Sequence, residues 1–279
     1  MDAALLNPPR RLSVPVDNRW GAGQMSVLDF GDAKRPVDLI FVHANGFNAA
    51  TYRTLLAPLS ASLRIWAPDL RGHGRTALPT PTAGRWSWAD HRDDLIALLD
   101  AIDGPPVVMS GHSMGGTSSL LAAAERRDKV SQLVLLDPVI WTRAWVTAFK
   151  LPLLRSLPRR IPLAKGALRR RRLFESRDQA LIAYRGRGAF KGWPEMALAH
   201  YLSDGLLKLM RGSPSPVRPS GNLRTTPPSR MTRGRLWPGW IVRCASLRPR
   251  PTRPATSAPI PVVRSRSRPL SAARISSRC

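Results

Sequence analysis

PPVVMSGHSMGG, residues 105–116, passes from two prolines through an apolar run into a serine flanked by glycines. SSLLAAAERR (118–127) follows with the composition of a helix. The order is therefore buried strand, sharp turn, helix. Gly111-His112-Ser113-Met114-Gly115 fits G-x-S-x-G in the context which that motif requires. Glycines flank the serine because a strained turn leaves no room for a β-carbon against the neighbouring strand and helix. The bend lifts the Ser113 hydroxyl above the sheet edge, and the helix N-terminus behind it favours developing negative charge. G-x-S-x-G alone arises often by chance. The strand and the helix on either side make it specific.

Outward from this turn, strand and helix signals alternate. MSVLDFG (25–31) reads as a strand, and DLIFVHANGF (38–47) as a buried strand entering a loop. TYRTLLAPLSASL (51–63) has helical spacing, and RIWAPDLRGHGRT (64–76) is a strand ending in a glycine-rich turn. SWADHRDDLIALLDAIDG (87–104) reads as an amphipathic helix with Ser87 as N-cap and Gly104 as its stop. VSQLVLLDPVI (130–140) is a further buried strand. Parallel strands are expected at 38–43, 64–69, 105–110 and 132–137. This alternation predicts an α/β fold, a mostly parallel sheet flanked by helices. Residues 1–140 form its core. From Trp141 to about Lys208 the pattern turns helical and basic, as in LRRRRLF (168–174), whose arginines read as a solvated helix face. Residues 141–211 are thus expected to form a helical cap or lid.

HANGF (43–47), DLRGHGRT (69–76) and GHSMGG (111–116), in this order and spacing, resemble the α/β-hydrolase superfamily, in its branch with a helical cap. The resemblance covers residues 25 to about 208. It implies a Ser-His-acid triad with Ser113 as nucleophile, needing neither metal nor organic cofactor. It also implies an oxyanion hole formed by the backbone N–H groups of Asn45 and Met114. His73 and Arg71 in the D-x-R-G-H-G loop are expected to brace the turn rather than react. Asp137, at the end of the strand before the cap, occupies a position where some members carry the triad acid. The alternative is a strand-end aspartate bonded to its own backbone. A serine at 113 argues against the dehalogenases and epoxide hydrolases of the same fold, which place an aspartate there.

The triad histidine has no counterpart. In this family it follows the last strand, whereas this chain has no histidine beyond His200. His43, His73, His91 and His112 precede or adjoin the nucleophile, against the order Ser, acid, His. His200 lies in the helical stretch MALAHYL and reads as a packing residue.

The composition breaks at about the same place. The chain has 44 basic and 18 acidic residues, and a net charge of +26. Residues 213–279 hold 14 arginines and 12 prolines but no lysine or acid, and Asp204 is the last acidic residue. Residues 212–279 therefore read as a disordered Arg/Pro/Ser-rich tail that leaves the C-terminal core strands missing. Translation out of frame accounts for the break. Reading one base back, Met231-Thr232 must encode Asp, Trp237-Pro238 Ala, and Trp240-Ile241 Asp, while the opposite shift gives a stop at Met231-Thr232. With third bases chosen to suit, Pro216 to Arg248 can include DPWAALAGLDRPVRVLE, and Arg264 to Cys279 can read PVTVEAVVGGTHFLPM. These strings resemble the family's seventh strand and its final strand with the histidine loop. The alternative is a genuine Arg/Pro-rich extension.

Both cysteines, Cys244 and Cys279, lie near the C-terminus, which argues against a disulfide framework and for a cytoplasmic location. No run approaches the roughly 18 apolar residues of a membrane span. The expected partner is a small acyl substrate: a carboxylic ester, a lactone or a similar compound. Carbon–carbon bond hydrolysis and cofactor-free perhydrolysis use the same triad. Two other readings are a catalytically inactive relative and an anionic-polymer binder acting through the arginines. Against the second, the tail has one aromatic patch, Trp237 and Trp240, and no recognisable nucleic-acid module.

Overall fold

The computed structural model describes residues 8–80, 88–140, 174, 176–208, 217–219 and 242–245. The sheet strands are β1 (Arg10–Val16), β2 (Gly23–Phe30), β3 (Leu39–Val42), β4 (Ile65–Pro68), β5 (Val107–His112) and β6 (Val130–Leu136). Two more short strands, β7 (Leu206–Lys208) and β8 (Val217–Pro219), pair antiparallel with each other. A last one, β9 (Val242–Ala245), joins the main sheet, whose order is β1-β2-β4-β3-β5-β6-β9. β1, β2 and β4 are antiparallel neighbours, and β4, β3, β5, β6 and β9 run parallel. This is the α/β-hydrolase arrangement that the sequence predicts. β1 is a strand to which the sequence reading assigns no stretch, although Leu12, Val14 and Val16 alternate with polar residues and Pro15, a proline position that an edge strand tolerates.

The helices depart from expectation at their ends. The stretch 51–63 is three short pieces: a 3-10 turn (Ala49–Tyr52), α1 (Arg53–Leu56) and a second 3-10 turn (Ala57–Ala61). Pro58 lacks the N–H that a continuous helix needs there. α2 (Ala89–Asp100) has Trp88 at its N-cap with no side-chain cap bond, whereas Ser87 lies outside the described residues. It stops at Asp100, before Gly104, which instead takes the left-handed turn beyond it (φ 119°). α3 (Met114–Glu125) follows β5 directly. In the expected cap, residues 141–173, with all four arginines of the run, lie outside the described residues. α4 (Arg177–Tyr184), capped by Ser176, and α5 (Glu195–Gly205) are helical as expected.

Against the expectation that the C-terminal core strands are missing, the tail supplies one short strand to the sheet among the described residues. β9 lies on β6 with Leu133 opposite Val242 and Leu136 opposite Ala245. Trp240–Ala245 is proline-free and, Arg243 aside, apolar, and an open edge of β6 offers its N–H and C=O groups to any extended chain. Apart from β8 and β9, residues 212–279 lie outside the described residues.

Both faces of the parallel strands are apolar, as a sheet covered on both sides requires. Ile40, Val42, Met109, Leu133 and Leu135 face α2 and α3 and join Leu95, Leu98 and Leu99 in the main core. Full burial of each such leucine is worth about 1.5–3 kcal/mol. On the other face, Phe41 packs with Ala49, Ala50, Leu56 and Ile65. Beside that cluster lies a cavity of about 520 Å³, lined by Leu39, Phe41, Leu55, Leu59, Val108 and Val134 among others. A third cluster, Phe174, Phe190, Leu198, Tyr201 and Leu202, unites α4 and α5 and reaches the core through Phe47.

Candidate active site

The strand order reverses about β3 and β5, and in open α/β sheets the crevice at such a switch point receives the ligand. Val42 pairs with Gly111, so the two strands end level. His43-Ala44-Asn45-Gly46-Phe47 leaves one end and Ser113-Met114 leaves the other. The topology therefore brings together the three residues that the sequence assigns to the nucleophile and the oxyanion hole.

Ser113 is the N-cap of α3, with φ 52° and ψ −118°. This left-handed backbone is costly for a residue with a side chain and is held only where its surroundings over-determine it. Here they do. The Ser113 N–H donates to the Leu136 carbonyl at 2.9 Å, fixing the turn to the end of β6. A β-carbon on Gly111 would sit 2.5 Å from the Gly115 carbonyl carbon, and one on Gly115 would sit 2.3 Å from the Val42 carbonyl oxygen. Gly111 thus lets α3 lie close on β5, and Gly115 lets it approach β3 backbone to backbone. Gly115→Ala is expected to lower stability by about 1–3 kcal/mol, as overpacking does, measured as a drop in urea midpoint. An unchanged midpoint would contradict this close approach.

The loop after β3 is braced from below by histidines. His43 is fully buried; its Nδ1 donates to the Ala44 carbonyl at 2.8 Å and its Nε2 accepts the Leu70 N–H at 2.9 Å. Burial lowers its pKa to about 4, so it is neutral in this role. His73 Nε2 accepts the Gly46 N–H at 3.1 Å, and its Nδ1 lies 3.1 Å from the Arg71 carbonyl. Arg71, also fully buried, pairs with both oxygens of Asp94 at 2.8 and 2.6 Å. Its third nitrogen donates to the Trp20 and Pro79 carbonyls. His73 and Arg71 therefore hold loops together. Asn45 is exposed at the loop tip, and Met114 is buried at the start of α3.

Asp137 ends β6 as an exposed residue with φ 46°. Its charge reaches His112, whose pKa burial lowers and Asp137 partly restores. His43 bonds the Ala44 and Leu70 backbone, His73 accepts from Gly46, and His112 bonds the Tyr52 hydroxyl. His91 and His200 are buried within α2 and α5. Among the described residues, no cluster of His, Cys, Asp or Glu is arranged to hold a metal.

Two groups beside the site escape sequence reasoning. Asp69 is buried and accepts the Ala49 and Arg75 N–H groups at 2.8 and 3.0 Å. Burial, with Asp204 adding to it, pushes its pKa up to about 6. Asp204, from α5, pairs with Arg11 of β1 and with Arg75, at 2.7 Å to the latter. Asp69 opens the D-x-R-G-H-G loop, but Arg11 and Asp204 lie far from it in the chain, so no local pattern reveals their meeting. Tyr52 is the second group, and its bonds are taken up below.

A family model for the α/β hydrolase fold matches residues 39–177. Lipase LipV of Mycobacterium tuberculosis is 47% identical over 76 residues, 27% of this chain and 28% of that protein. An sn-1-specific diacylglycerol lipase of Mus musculus is 31% identical over 144 residues, 46% of this chain and 45% of that protein. The aligned regions thus span less than half the length of these relatives. The solved structure of E-2-(acetamidomethylene)succinate hydrolase superposes with a TM-score of 0.57 at 24% identity, over 77% of this chain and 70% of that one. The chain belongs to the α/β-hydrolase superfamily. No helix among the described residues is long and apolar enough to cross a membrane.

Proposed function

We propose that this chain carries the acyl-transfer half of a serine hydrolase acting on a carboxylic ester, lactone or similar acyl compound. Ser113 is the nucleophile, and the backbone N–H groups of Asn45 and Met114 receive the developing oxyanion. The observation that carries this reading is the left-handed Ser113 at the N-terminus of α3, level with the end of β3. A helix start and strained turn present a side chain for attack and favour negative charge beside it. Lipase and hydrolase relatives fit the same chemistry. Proton transfer is the weak step. With no histidine after the cap, the serine hydroxyl stays protonated, and turnover is slow. Asp137 keeps its place as the candidate acid, with no imidazole supplied for it to orient.

A fluorophosphonate, followed by peptide mass spectrometry, tests the nucleophile. Slow modification, selective for Ser113 and lost in Ser113→Ala, is the expected result, since without a base the hydroxyl stays protonated. Modification spread over other serines, or none, would favour a catalytically inactive relative.

A further inference from the structure

Tyr52 closes the 3-10 turn after the β3 loop, and its hydroxyl sits between the two chain segments that form the site. The oxygen accepts the Ala44 N–H at 3.1 Å, and the hydroxyl lies 2.8 Å from His112 Nδ1. Because the oxygen already accepts from Ala44, its proton is available to Nδ1, which places the imidazole proton on Nε2. Ala44 immediately precedes Asn45. His112 immediately precedes Ser113 and stands two residues before Met114. The Ala44 carbonyl is separately held by His43 at 2.8 Å. One hydroxyl therefore ties both segments that carry the oxyanion donors.

We propose that Tyr52 is a positioning residue, whose hydroxyl fixes the spacing of the Asn45 and Met114 N–H groups by bonding Ala44 and His112 together. This inference rests on the serine-hydrolase reading above. The ring by itself is core packing: it lies 4.7 Å from Phe41 between centroids and edge-on to Phe47 at 6.4 Å. Packing needs no hydroxyl. A tie between two donors on separate loops does, since preorganised donors act only when held where the oxyanion will form. Burial also keeps the phenol protonated, above its ordinary range, so it remains a donor. Protonating His112 Nδ1 would strand that phenolic proton, so the tie favours neutral His112.

Tyr52→Phe removes the hydroxyl and keeps the ring. It is expected to slow modification of Ser113 by a fluorophosphonate by about 10-fold to 10²-fold, the scale of a small misplacement. His112→Ala should slow it comparably, and the double variant should be no slower than the slower single one, because either change cuts the same tie. NMR titration of His112 in Tyr52→Phe should move to higher pH. Packing alone predicts none of this coupling. A Tyr52→Phe chain reacting at the unmodified rate, effects that multiply in the double variant, or an unmoved His112 titration would each overturn the proposal. If the unmodified chain does not react at Ser113, the serine reading is what fails. The His112 titration then still decides whether the tie exists.

Discussion

Hydrolysis of p-nitrophenyl acetate by this chain should run several orders of magnitude below that of a version whose codons beyond about residue 212 are read one base back. The reason is the base. Triad enzymes that lose a member keep about 10³–10⁴-fold over water from the oxyanion hole and binding alone. In a comparable triad, removal of the histidine costs on the order of 10⁶ in kcat. The structure retains the parts that such residual catalysis uses: the strained Ser113 turn and the braced loop carrying Asn45. The sequence has no histidine beyond His200, which is buried in α5. The shifted reading of Arg264 to Cys279 restores a histidine after a final strand. Its reading of the codons for Val242 to Leu247, Pro-Val-Arg-Val-Leu, falls where β9 lies against β6. Three measurements decide the matter: the present chain, the frame-restored chain, and the restored chain with Ser113→Ala. Recovery that depends on Ser113 is expected. Full activity in the present chain would locate the base among its five histidines and remove the functional meaning of the frameshift.

The fold was legible because its signals are local. VVMSGHSMGG carries strand, turn and helix in one stretch, and Leu39–Val42, Ile65–Pro68 and Val130–Leu136 are short apolar runs between turn residues. Asn45, Ser113 and Met114 were legible for the same reason, each standing just after a strand. What sequence could not show is what converges from a distance. Tyr52 meets His112 across 60 positions, and Arg11 meets Asp204 across 193. No periodicity reports such pairs. β9 was hidden differently. Its register comes from the open edge of β6, and the proline- and arginine-rich surroundings outweighed its four residues.

A second large effect is expected in the pH dependence of stability, where two buried groups oppose each other. His43 is held near pKa 4 by burial, against 6.5 unfolded, so the unfolded chain binds the extra proton as the medium acidifies. Its contribution falls from pH 6.5 to about 4, by about 3 kcal/mol in all, at 1.36 kcal/mol per unit. Asp69 behaves in reverse. Its folded pKa of about 6 exceeds the unfolded 3.8, so the folded chain binds the proton first. Its contribution rises as pH falls through that window, again by about 3 kcal/mol. The two slopes cancel between about pH 4 and 6, and from this pair the chain should show a nearly flat stability there. Asp69→Asn removes one slope and leaves the other. The variant's own urea midpoint should fall progressively from pH 6.5 to about 4, as His43 dictates and as His112, also lowered by burial, reinforces, and relative to the unmodified chain it should fall from about pH 6 to 4. The difference between the two chains isolates Asp69, because every other titrating group is common to both. The substituted amide retains an acceptor for only one of the Ala49 and Arg75 N–H groups, so a constant offset at all pH values is also expected. Parallel midpoint curves, differing by that offset alone, would mean that Asp69 titrates in the folded chain as it does in the unfolded one.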